Sequence, residues 1–238
     1  MSLSDDQPHE PAPHDTPPPR AQALADCDTF VANVRAACAS PGTQQALRRA
    51  LARPVDDVPA RTHAALLRGG LIPDTARGAK RRAHYAVAAL IAARPRAERQ
   101  GDESADAAES EAPSMPLQEQ LPQPSATAKP EPGHSTPAAA LGVSLGASLA
   151  HAVTRQGPEA IKEDGAEARL HLLVRQDTDG LHRMLPGVVR HLGSAGTPVD
   201  YGRLLYDLGR WSYARESIAT RWLEDYYRTL RRARERQP

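Results

Sequence analysis

Two apolar stripes constrain this chain more than any other feature. Leu181, Leu185, Val188, Val189 and Leu192 recur at helical spacing, and Ile218, Trp222, Tyr226 and Leu230 recur at steps of four. A helix turns once in 3.6 residues and gathers such positions on one face, whereas a strand alternates faces at every residue. No run alternates with period two for long enough to form a strand, and no hairpin turn signal separates apolar runs. The fold class this predicts is all-α.

Helices are expected over about 22–39, with Phe30, Val31 and Val34 inward, and over 43–52, with Thr43 as N-cap and Leu47 and Leu51 buried. Ser40-Pro41-Gly42 is read as the stop between them. Further helices follow over 59–71 (Ala64, Leu67 and Leu71 inward) and 75–94 (Tyr85, Ala88, Ala89, Ala92). The second half begins at 143–150, where Gly146 permits close packing, and continues over 158–175 (Leu170, Leu173, Val174) and 178–194. Helices over 199–212 (Leu204, Leu205, Leu208, Trp211) and 215–234 complete it. Seven of the nine aromatics lie within 201–227; Trp211, Trp222 and Tyr226 fall on the stripes and read as core, Tyr213 and Tyr227 do not.

Two segments break this pattern. Residues 1–20 and 96–141 hold thirteen of the 22 prolines and no aromatic side chain. Such segments bury too little apolar surface to offset the entropy of ordering them. They are expected to be a disordered tail and a long disordered acidic linker joining two small helical bundles, at 21–95 and 142–236. Charge divides along the same lines. The net charge of +1 splits into −3 for 1–20, +6 for 21–95, −5 for 96–141 and +3 for 142–238. The packed parts are basic, as a polyanion binder requires, and the acidic linker is expected to compete for their basic faces.

No apolar run reaches the roughly 18–20 residues of a membrane span, and Asp5, Asp6 and Glu10 stand where a signal peptide needs a basic start. A cytoplasmic protein without membrane contact is expected. Cys27 and Cys38 form no CxxC or metal pattern and read as small core residues.

Enzyme signatures are missing: there is no phosphate-binding GxxxxGK loop, no GxGxxG after a strand and no HExxH. No two histidines are four residues apart, the spacing that would place two metal ligands on one helical face. Asp200, Asp207, Glu224 and Asp225 could form a carboxylate cluster, but Asp200 stands at a helix N-cap and Glu224 and Asp225 on a solvated face. No catalytic residue, metal or cofactor is expected. The candidate site is cationic. Arg48 and Arg49 lie opposite inward Leu47 and Leu51, with Arg53 following, and Lys80, Arg81 and Arg82 open a helix whose dipole they oppose. Arg183 and Arg190, like Arg221 and Arg228, are seven apart and share a helix side. Arg169, Arg175, Arg210 and Arg215 complete the candidate nucleic-acid-binding set. Spaced guanidinium groups suit phosphates along a backbone, contacts that are independent of base sequence and weaken with salt. The competing reading is a helical protein–protein adaptor.

Several segments follow the order of a known family. They are Ser144-Leu145-Gly146 with Leu149-Ala150, the stretch from Arg169 to Arg175, Leu181 through Leu192 with Arg190, Asp200 through Leu208 with Trp211, and Arg221 through Tyr227. In the first half Leu47-Arg48-Arg49-Ala50 with Arg53-Pro54 matches an early helix. Over about 28–94 and 142–232 the chain resembles CasB, the small subunit of the type I-E CRISPR surveillance complex, Cascade. Tyr201 stands where that family usually has Trp, and 96–141 is a longer connection than many members have. The resemblance implies a non-catalytic helical subunit present as two copies. It would contact the large subunit and the backbone subunits that hold CRISPR RNA, and its basic faces would help hold target and displaced DNA strands.

Overall fold

The structure is a computed structural model that describes residues 20–95 and 142–236. The linker expected over 96–141 lies outside these residues, as does the expected tail except for Arg20, which opens the first helix. Among the described residues the fold is all-α, as the periodicity requires, with no strand. Its helices are α1 (Arg20–Ala37), α2 (Pro41–Arg48), α3 (Ala60–Leu67), α4 (Gly78–Ala93), α5 (Leu145–Thr154), α6 (Glu163–Val174), α7 (Thr178–Ser194), α8 (Tyr201–Leu208) and α9 (Trp211–Glu235).

Local chemistry explains where the boundaries moved. α2 starts at Pro41, before the expected Thr43, with Ser40 as N-cap. Proline suits the first helical turn because its missing N–H is one the helix leaves unbonded there anyway. α3 is rotated from the expected phase: Thr62 and Leu66 are buried while Leu67 is 47% exposed. The Thr62 hydroxyl donates to the Ala46 carbonyl of α2, so a buried polar residue sits on a face that apolar counting had assigned elsewhere. α9 begins four residues earlier than expected and runs through a kink at Ala214 (φ −126°, ψ 20°). The kink keeps Trp211 buried with its indole Nε1 donating to the Gln176 carbonyl at 3.2 Å.

One hydrophobic cluster runs from Phe30 on α1 to Leu230 on α9 and takes in both halves. α5 lies along α9, α1 packs on α8, and α4 touches both α7 and α8. Gly146 makes the first contact possible, because a Cβ there would sit 2.7 Å from the Trp222 carbonyl carbon. Asp200 caps α8 by accepting from the Arg203 amide at 2.8 Å, and also accepts from the Val143 amide at 2.8 Å, tying the start of α5 to α8. Trp211, Trp222 and Tyr226 are core, as their spacing predicts, whereas Tyr213 and Tyr227 are exposed. Cys38 is buried, Cys27 is half-buried, and both are free thiols.

Candidate nucleic-acid interface

Burial of Leu47 turns the next residue, Arg48, outward at the end of α2. On α7, Val188, Val189 and Leu192 face the core and leave Arg190 exposed. These two arginines, far apart in sequence, line one cleft of about 400 Å³ between α2, the end of α4 and α7. Arg94, the C-cap of α4, lines it as well, with its guanidinium 5.9 Å above the Tyr201 ring. The walls are mainly apolar, with Leu51, Leu90, Val189 and Pro198 among them, and no described lining residue is acidic. A smaller neighbouring cleft shares Leu51, Leu90 and Pro186 with the first and adds Arg53 and His182. Among the described residues no carboxylate lies within ion-pair distance of Arg48, Arg53 or Arg190. Sequence reasoning missed Arg94. The available signal was its place between Ala93 and Pro95, where a cation commonly closes a helix and a proline stops it.

A second basic group gathers where α1, α4, α8 and α9 meet. Arg210 donates to the Tyr206 hydroxyl and lies 4.9 Å over that ring, and Arg20 lies 5.9 Å from the same ring. Lys80 packs its stem close to Gly209 at the α8–α9 turn. Arg221 is drawn inward, donating to Asp207 Oδ1 at 3.2 Å. Asp207 is the hub beneath this group. Its carboxylate also accepts from Arg203 Nε at 3.3 Å and from Trp222 Nε1 at 2.8 Å. The side chains of Arg203 and Asp207 are 4% and 1% exposed. Of the carboxylates weighed from sequence, Asp207 is therefore structural.

The remaining candidates are dispersed. Arg82 pairs across the helix interface with Asp179 in the first turn of α7. Hydrogen bonding to Arg82, with the Arg82 and Arg183 charges nearby, holds the Asp179 carboxyl below its usual range. Arg81 lies 5.7 Å over the Tyr85 ring. Arg228 pairs with Glu224 on its own helix at 3.0 Å, and Arg169 donates to the Gly165 carbonyl one turn back. Arg49, Arg175, Arg183 and Arg215 are exposed and line neither cleft. His182, at the α4–α7 interface, is held down to about 4 by burial and by the Arg82 charge. Its Nε2 has no hydrogen-bond partner among the described residues. Among those residues there is also no group of His, Cys, Asp and Glu able to hold a metal ion, and no helix long and apolar enough to cross a membrane.

The family model described as CRISPR-associated protein Cse2 matches residues 45–227. A solved structure described as a CRISPR RNA-guided surveillance complex, pre-nicking, contains a chain 31% identical, with a TM-score of 0.66, covering 90% of this chain and 99% of that one. A second, described as a CRISPR RNA-guided surveillance complex, is 30% identical with a TM-score of 0.65, covering 91% and 99%. No curated protein matches the sequence.

Proposed function

The chain belongs to the CRISPR-associated Cse2 family, and on that premise we propose that it is a non-catalytic subunit of an RNA-guided surveillance complex that holds nucleic-acid strands by their phosphates. In such a complex, recognition of sequence falls to base pairing, and strand opening is close to energetic balance, tipped by protein contacts to the backbone. A helical subunit with cationic clefts supplies that contact to the target and displaced strands of the opened duplex. Its partners would be the large subunit, the backbone subunits that carry CRISPR RNA, and a second copy of itself. Cleavage would belong to a separate nuclease.

The observation that carries the reading is the meeting of Arg48 and Arg190, from two helices and both halves of the chain, in one cleft without a described acidic residue. Arginines spread evenly over the surface, or each neutralised by a carboxylate, would not favour a phosphodiester strand over any other anion.

The test is fluorescence anisotropy of the full chain with a labelled 20-nucleotide DNA strand at graded salt. The wild type is expected to bind weakly and to lose affinity as salt rises. Arg48→Ala with Arg190→Ala removes two phosphate contacts, and on a single strand each contributes roughly 0.7 to the slope of log affinity against log salt. The slope should fall by about 1.4. A wild-type chain that retains no nucleic acid at low salt would reject this reading and favour the protein adaptor.

A further inference from the structure

We propose that the cleft between α2, α4 and α7 receives a single unpaired nucleotide, its phosphate at the arginine rim and its base against the apolar walls. This inference rests on the nucleic-acid reading above and goes beyond it, because contact with phosphates alone does not require a base to enter the protein.

Two observations point the same way. The cleft, at about 400 Å³, falls within the range of about 300–1,000 Å³ typical of small-ligand sites. It can admit one base with its sugar and phosphate, but not a paired duplex.

Its lining is also of two kinds. Arg48 and Arg190 are exposed at the edge, whereas Leu51, Leu90, Val189 and Pro198 form the walls. Phosphates are strongly hydrated and gain nothing from apolar walls, while the flat faces of bases do. A nucleotide has both characters in the order the cleft presents them.

Apolar walls of this kind accept the face of any base. Contacts of this kind are tolerant of sequence, which is compatible with a subunit that leaves base reading to the guide. The occupant is thus a nucleotide of a single strand, and its base should contribute measurably to affinity.

The full chain would be titrated with three labelled probes at one salt concentration: a 20-nucleotide oligothymidine, an abasic strand of the same length and charge, and a 20-base-pair duplex. Oligothymidine is expected to bind at least about fivefold more tightly than the abasic strand, as partial burial of one or two bases implies. It should also bind more tightly than the duplex. Ser194→Trp, at an exposed position on the cleft wall, should fill the cleft and weaken oligothymidine more than the abasic strand, closing the gap between them. Equal affinity of the normal and abasic strands, or displacement of both by polyglutamate with equal ease, would overturn the inference and leave the phosphate reading standing. Loss of binding to every probe would reject both. The abasic comparison needs no variant, so it decides the matter even if Ser194→Trp does not fold.

Discussion

Replacing Asp207 with alanine removes the acceptor shared by Arg203, Arg221 and Trp222. The three donors do not lose equally. Arg221 is 29% exposed and can take up water, whereas the Arg203 side chain is 4% exposed and the Trp222 indole is fully buried. Removing one partner of a buried ion pair strips the remaining charge of that contact in low dielectric, at about 3–5 kcal/mol. The orphaned indole N–H adds about 1 kcal/mol or more. Rehydration through the Arg221 side offsets part of this, so the expected loss is about 3–5 kcal/mol. For a chain of this size each kcal/mol shifts Tm by about 2–4 °C, which gives a fall of about 6–20 °C. Asp207→Asn keeps an acceptor for Trp222 but not the charge, and should fall between alanine and wild type. Urea melts followed by circular dichroism, with thermal melts in parallel, would measure both variants. A loss below about 1 kcal/mol for Asp207→Ala would refute the reasoning, because it would mean that the contacts from Asp207 to Arg203 and Trp222 contribute little to the folded state.

Two further outcomes follow from the packing. Gly146→Ala places a methyl group against the Trp222 backbone, which cannot move aside as a flexible side chain would. It should lose about 2 kcal/mol or more by overpacking despite a better helix propensity. Gly187→Ala, within α7 with nothing near its Cβ position, should instead gain about 0.5–1 kcal/mol, and urea melts that gave both the same sign would contradict this account. His182 is held from 6.5 to about 4 by burial and Arg82, against a weaker opposing pull from Asp179. Protonation therefore favours the unfolded chain, and the stability that depends on neutral His182 is complete above pH 6.5 and is lost as pH falls toward 4. At most about 3 kcal/mol is at stake. His182→Leu should flatten part of that acid limb, while His84, His151 and His191, also depressed by burial, keep the rest. Melts between pH 4 and 7 with parallel slopes for variant and wild type would exclude His182 as a contributor.

The helices were readable wherever apolar spacing was unbroken. α7 spans the expected 178–194, and the inward faces of α7 and α9 carry the residues their stripes named. Gly146 was expected to allow a close approach, and it does so against Trp222. α3 was misphased because Thr62 is buried through a hydrogen bond to Ala46, a tertiary interaction with no periodic trace. Asp207 looked like any helical carboxylate until Arg203, Arg221 and Trp222 closed around it.

The candidate site divides in the same way. Local sequence decides that Arg48 and Arg190 point away from the core, because the 3.6-residue turn fixes each side chain's direction about its own helix axis. It does not decide that they share a cleft with Arg94, nor that Arg82 and Arg221 are engaged with carboxylates of other helices. Those outcomes depend on how helices cross and rotate against one another, which is set by side chains from two elements interlocking at once. Sequence alone determined an all-helical chain with outward-facing cations; only packing between distant helices determined which cations meet.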